Sequence, residues 1–425
     1  MAPSPRLLLA GLPLGLFVFS SCLDGPDPGS VWDGSVRDSA GVEIVLNHGT
    51  PLWSDTDRWV LSETLRIGVS DGEPEYMFGR LVDMGILSDG RIVVADGMAQ
   101  HLRFFLPDGR WDETVGRPGS GPGEFGRGSL QVLVGPGDTL LVLDSQNQRA
   151  NKIAPEGTWL DSWRSAPEAG WIVRSWDYSP NGRIVSHMSR VSGMEENEAD
   201  TLDFVVVRNL EGAPGDTVGV VAASRLRRTT GGRREFHLWA GEPVVSLCPD
   251  NSLVAGRGDL YEIKRYDSAG NLEQIVRIER PNAPITESDR TFLRARFKDI
   301  YLESGVTPVQ VEELLSGMHF TETHPAFTNL RCGPGGSIWV QPVKPVSALT
   351  EEERQEFWVG QYAETSAHFD VFDRQGRYLG VVPLPQGSWP FLFHEDYLYG
   401  RWRDSLDVEY VQGLKIEGMT PELEG

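Results

Sequence analysis

The sequence predicts an all-β fold, a six-bladed β-propeller with short helical insertions on one face, and three observations predict it. A unit of apolar strand, turn on Asp, Asn or Gly, and second apolar strand returns along the chain, turning near Asp89, Gly137, Asn181, Asp250, Gly335 and Glu395. In three copies a further turn follows 19 residues on, at Asp108, Glu156 and Ala269, and a fixed offset inside a loose repeat marks a structural unit. The first two units are 48 residues apart, room for four short strands each, which is the signature of a propeller blade. A chain of 425 residues could hold several average domains, but a repeat carried nearly end to end argues for one closed body over residues 40–425.

Ahead of that body, residues 1–21 carry one basic residue, Arg6, and an apolar run from Leu7 to Phe19. This is a secretory signal, too short to span a membrane. Phe19-Ser20-Ser21-Cys22 resembles a bacterial lipobox, with Phe19 in place of the usual Leu or Val. The resemblance implies that Cys22 is lipidated and begins the mature protein; an ordinary signal peptide cut nearby is the alternative. Residues 22–39 are then the anchor cysteine and a linker rich in Gly, Pro and Asp. Several acyl chains at about 0.8 kcal/mol per buried methylene would hold the protein on a membrane without a spanning helix.

Blade one is expected as strands at 82–87, 91–96, 102–106 and 111–115, with hairpin turns at Asp89-Gly90 and Asp108-Gly109. Blade two follows over 130–163, and blade three opens with 171–178. Blade four has strands at 244–247, 252–255, 261–266 and 272–278, and blade five at 329–332, 337–341, 368–372 and 378–383. The sixth, at 390–393, 397–402 and 408–416, lacks an outer strand. Two spare strands, 42–46 and 65–68, precede blade one; either could complete the sixth blade and remove its open edge. Cys248 and Cys332 each directly precede a first turn, so they are expected at equivalent places in neighbouring blades, too far apart to bond and buried as small hydrophobes.

Asp144-Ser145-Gln146-Asn147-Gln148-Arg149 and the inter-blade run Gly119-Ser120-Gly121-Pro122-Gly123-Glu124-Phe125 resemble NHL-type repeat motifs. Over residues 40–418 the chain resembles the bacterial six-bladed β-propeller lipoproteins related to them, with blades one and two carrying most of the likeness. Gly121 to Gly126 also fits G-x-G-x-x-G, but it lies between strands with Pro122 inside it and lacks the strand and helix a dinucleotide site needs. Phe125 is instead expected to pack between blades.

Insertions fall in the connections from second to third strand and from blade to blade, which open on one face of a propeller. The largest, residues 281–324, carries two helix starts, Thr286 with Asp289 and Thr307-Pro308 with Gln310, and the insertion at 342–367 carries a third, Thr350 with Glu353. Binding surfaces are usually built where a rigid scaffold concentrates such additions. Arg225, Arg227, Arg228, Arg233 and Arg234 form a basic cluster suited to an anion or a partner's carboxylates, and Trp358 is a contact candidate. An acidic cluster, Glu195, Glu196, Glu198 and Asp200, lies in another insertion.

A net charge of −22 disfavours nucleic acid. The sequence therefore reads as an exported binding module of the cell envelope, membrane-bound through its lipid, with a protein or envelope component as partner and no cofactor. The alternative is a lactonase-like hydrolase or lyase with a divalent metal at the channel mouth, for which His187, His237, His319 and His324, with His368 nearby, are the available ligands. No tight His-x-His or His-Glu-x-x-His spacing supports it, and no Gly-x-Ser-x-Gly elbow supports a serine hydrolase.

Overall fold

The computed structural model describes residues 32–54, 56–165, 171–178, 184–190, 202–208, 217–222, 226–228, 234–239, 241–357 and 367–419. The predicted signal, Cys22, the acidic cluster, Arg225, Arg233 and Trp358 lie outside them.

The fold is a β-propeller. Successive runs of antiparallel strands form separate sheets, in which chain order is also spatial order. The first comprises Leu81–Ile86, Ile92–Asp96, His101–Phe105 and Trp111–Val115. The second runs from Leu130–Val134 through Leu140–Asp144 and Arg149–Ile153 to Trp159–Arg164, and the third opens with Trp171–Tyr178. The fourth runs from Val244–Leu247 to Leu272–Ile278, the fifth from Phe327–Cys332 to Tyr378–Pro383, and the sixth opens with Ser388–His394. The second strand of the first sheet, Ile92-Val93-Val94-Ala95-Asp96, is buried at every position because both faces of its sheet are covered. Such a strand reads as a continuous apolar run.

Neighbouring sheets share apolar clusters. Phe104 and Leu102 of the first sheet pack with Leu130, Val142 and Ile153 of the second, and Phe125 is fully buried among them, as expected of the inter-sheet loop. Gly116, at φ +91°, lets the chain pass over the Phe125 ring, where a Cβ would come within 2.5 Å. Asp144 ends its strand by accepting from the Asn147 and Gly126 N–H groups, so one carboxylate fixes both its own turn and the loop arriving from the sheet before.

The sixth sheet is completed by Val60–Ile67, which pairs antiparallel with Glu409–Glu417, Leu61 opposite Ile416 and Ile67 opposite Val411. The other spare strand, Val42–Asn47, runs parallel to Leu272–Ile278 and extends the fourth sheet, with Gly34–Ser39 outside it. Asn47 explains this placement. Fully buried, it donates from Nδ2 to the Arg277 and Gly376 carbonyls, and its Oδ1 accepts the Tyr378 N–H at 2.7 Å. One side chain thus ties the fourth sheet to the fifth.

Cys248 and Cys332 form a disulfide with Cα atoms 5.1 Å apart, against the expectation of two unbonded thiols. The reason is radial. First strands of neighbouring sheets converge on the propeller axis, so equivalent strand-end positions that would be distant at the rim come within bonding reach.

The insertion between the fourth and fifth sheets contains α1 (Glu287–Glu303) and α2 (Pro308–Ser316), and a shorter α3 (Glu351–Glu356) follows in the fifth. Each starts with the reciprocal box expected from its Thr, N3 backbone to Thr side chain and N3 side chain back to the cap N–H. Phe297 packs with Val311, Leu315 and Met318, joining α1 to α2, and Leu293 packs with Trp239, Val346 and Phe357. No helix among the described residues is long and apolar enough to cross a membrane.

Candidate functional site

The first strands of all the sheets described above border one cavity of about 1370 Å³ along the axis. Its wall includes Pro249, Gly333 and Pro334 and also Glu395, all at first turns, so it extends to the end of the channel where the first strands finish. The connections that hold α1 and α2 join a fourth strand to the next first strand and therefore belong to the opposite end.

An innermost strand leaves one backbone edge without a strand partner, and here side chains of the preceding sheet serve it. Asp83 accepts the Val132 N–H at 2.8 Å. Gln131 both donates to the Trp176 carbonyl and accepts its N–H, at 2.6 and 2.9 Å. Asp177 accepts the Leu247 N–H at 3.0 Å, and Ser246 accepts that of Cys332 at 3.2 Å. Arg331 donates from its two terminal nitrogens to the Phe391 and Pro390 carbonyls. One polar inner-strand side chain thus reaches across each of five successive junctions, which satisfies backbone groups that would otherwise stand unpaired. At the junction of sixth and first sheets the pattern changes: Trp389 and Phe391 stand on the sixth-sheet wall, and Glu409 takes the Leu81 N–H.

The charged members of this series also line the cavity. Burial pushes the Asp83 carboxyl up to about 7, opposed by the Val132 and Met84 N–H groups and by Arg331, while Asp177 adds a smaller upward push. Burial likewise raises Asp177 to about 6, against Leu247 N–H and Arg331. Arg331 is depressed by burial and supported by both aspartates, and its Nε, itself buried, has no partner. Each of the three is only half-buried by exposed area, because it borders the cavity. Two acids both raised by burial beside a buried guanidinium within a cavity are the electrostatic mark of a site that could bind charge or move a proton.

The histidines and arginines singled out in the sequence lie elsewhere. Arg227 and Arg228 fall on the strand Leu226–Arg228 and Arg234 on Arg234–Leu238, with Arg228 opposite Arg234. The second of these strands pairs in parallel with Met318–Phe320 at the end of the large insertion, which sets His237 beside His319 in register. Two insertions distant in sequence are thereby one three-stranded sheet. His187 sits opposite Ser175 in the third sheet, and His324 is buried against the Trp239 ring, 5.2 Å between centroids. Burial pushes His324 down to about 4, with Asp289 opposing, so its imidazole is neutral at physiological pH. Burial also lowers His368. Among the described residues no three His, Cys, Asp or Glu side chains gather as a metal would require.

Asp83, Asp177 and Arg331 were missed in the sequence. Their signal is a charge inside an otherwise apolar first strand, as in Leu81-Val82-Asp83-Met84-Gly85-Ile86, where a loop charge would mean nothing.

No protein-family model matches the chain, and no curated protein matches it. Its fold is similar to that of a DUF4221 family member from Bacteroides vulgatus, at 8% identity over 85% of this chain and 98% of that one, with a TM-score of 0.50. Similarity extends to a catalytically inactive virginiamycin B lyase from Staphylococcus aureus with quinupristin, at 10% identity over 84% and 99% of the two chains and a TM-score of 0.43. A gluconolactonase from Xanthomonas campestris gives 10%, 84%, 98% and 0.41. These likenesses are of fold alone.

Proposed function

We propose that this protein is an exported, lipid-anchored binding module of the cell envelope, a six-bladed β-propeller with its helical insertions on one face and its ligand site in the axial cavity. The observation that carries the binding reading is the cavity itself, a partly open space of about 1370 Å³ walled by both charged and aromatic side chains. Ligand sites are concave, largely preformed and lined in this mixed way. The Cys248–Cys332 disulfide supports export, since such bonds persist in oxidising compartments. The ligand class is an envelope component, with a protein partner accommodated by the three-stranded sheet and helices of the opposite face; nucleic acid is disfavoured by charge.

Native mass spectrometry of the mature protein, extracted from membranes in mild detergent, tests this reading. A retained small molecule, lost when Arg331→Gln and Asp177→Asn are combined, is the expected result. Ligand-free protein that also takes up nothing from a solubilised envelope extract overturns it.

A second reading, a divalent-metal-dependent hydrolase or lyase, is favoured by one observation, the pairing of His237 with His319 in register. Elemental analysis after dialysis separates the two: near-stoichiometric zinc, calcium or iron that disappears in His319→Ala supports the enzyme, and metal-free protein removes it.

A further inference from the structure

The cavity has unlike walls. Asp83, Asp177 and Arg331 stand on the first, third and fifth sheets, whereas Trp389, Phe391 and Phe393 stand together on the sixth. Phe391 packs toward the first sheet, at the junction where the series of polar side chains is interrupted, and Phe393 toward the fifth, 4.8 Å from the Trp339 ring.

Its charge is one-sided as well. The two aspartates outnumber Arg331, and around the mouth Glu395, Asp396 and Glu417 face a single cation, Lys415, whose ammonium is 3.9 Å from Asp396. Arg331 turns both terminal nitrogens to the Phe391 and Pro390 carbonyls, so its guanidinium is anchored to the sixth-sheet strand. Asp83 accepts the neighbouring-sheet N–H of Val132 and the N–H of Met84, and Asp177 accepts the neighbouring-sheet N–H of Leu247. An ionised carboxylate has about four acceptor sites. Acceptor capacity for a donor-bearing cation therefore remains on the very wall where negative charge is least solvated.

We propose that the cavity takes a small organic cation, an amine carrying an apolar body, with its ammonium at Asp83 and Asp177 and its body against Trp389, Phe391 and Phe393. The inference rests on the reading of this cavity as a ligand site and gives its ligand a chemistry. A cation relieves the repulsion between two carboxylates in poorly hydrated surroundings, and aromatic faces attract it further. An anion meets a wall on which, among the described residues, two aspartates outnumber the one inner cation.

Three probes with one body and different heads test the idea on the full mature chain: 4-phenylbutylamine, 4-phenylbutanol and 4-phenylbutyrate, each by titration calorimetry and thermal shift. The amine is expected to bind at least tenfold more tightly than the alcohol and more tightly still than the acid. Asp177→Asn should erase most of that preference while leaving the fold, since the Asn carbonyl still accepts the Leu247 N–H; Asp83→Asn is the second, independent variant. Equal or tighter binding of the alcohol or the acid overturns the cationic class while leaving the cavity a ligand site. No binding of any probe also rejects the amine, and the native mass spectrum then decides separately whether the cavity holds a ligand at all.

Discussion

Asp83 shows how one residue can serve the architecture and resist it. Its carboxylate caps the Val132 N–H, yet its folded-state pKa of about 7 lies far above the ordinary 3.8, so ionisation is harder in the folded protein than in the unfolded chain. The sign follows from proton counts. Between about pH 4 and pH 7 the folded state binds the extra proton, so the stability contributed by this group is full below pH 4 and is lost as the pH rises through 7. Asp83→Asn keeps the acceptor and removes the charge. Thermal melts should show the variant more stable than the parent at pH 8 and little changed at pH 4; equal melting temperatures at pH 8 would refute the assignment. Cys332 acts at the same scale and in the other direction. Its disulfide closes a loop with a sequence separation of 84. The chain-entropy relation puts the loss in Cys332→Ala at about 4.5 kcal/mol, readable as a lowered urea midpoint in oxidised protein.

Among the elements, those with purely local logic were legible in the sequence. Thr286, Thr307 and Thr350 start helices as their capping boxes require, and Thr286→Ala should cost about 1 kcal/mol, measured by denaturant titration, with Thr286→Ser restoring most of it. Strands such as Trp111–Val115 and His368–Phe372 sit where alternation and turn residues put them. What the sequence did not disclose depends on radius. Whether Cys248 meets Cys332, or Asp177 meets Leu247, is decided by how closely first strands approach the axis, a quantity no local spacing contains. Asn47 is the same lesson further out, a single buried amide that assigns its strand to the fourth sheet when its apolar pattern would have suited either of two places. The cavity-lining charges were visible as letters, but the sequence reading weighed clusters in loops, and a lone Asp in an inner strand acquires meaning only beside the others from different sheets.

For the whole molecule, the propeller and its closure by a strand from before the first sheet could be anticipated from the strand count. The choice between the two spare strands could not, because both are short apolar runs and only their three-dimensional reach separates them. The closing strand makes a sharp prediction. Ser62 lies opposite Lys415 in a hydrogen-bonded position of the pair that completes the sixth sheet, and Ser62→Pro removes a backbone donor from the ladder there. A loss of about 1–3 kcal/mol is expected from the missing ladder hydrogen bond, read as a lower melting temperature. The same substitution at Val36, on the outermost strand of the fourth sheet, should cost much less. Equal penalties at the two positions would mean that the closing pair has no special standing.

That closing pair joins residue 60 to residue 417, nearly the two extremes of the folded body. A strand made before the first sheet must therefore wait, unpaired, for the last. Until residue 417 is available, every partly made chain has an open sheet edge at Val60–Ile67 and no complete axial cavity. Contacts this distant in sequence make folding slow and leave intermediates prone to sticking. Premature termination even a few residues before Glu409 would not give a smaller propeller but a chain that cannot close, so completeness is checked by the architecture itself.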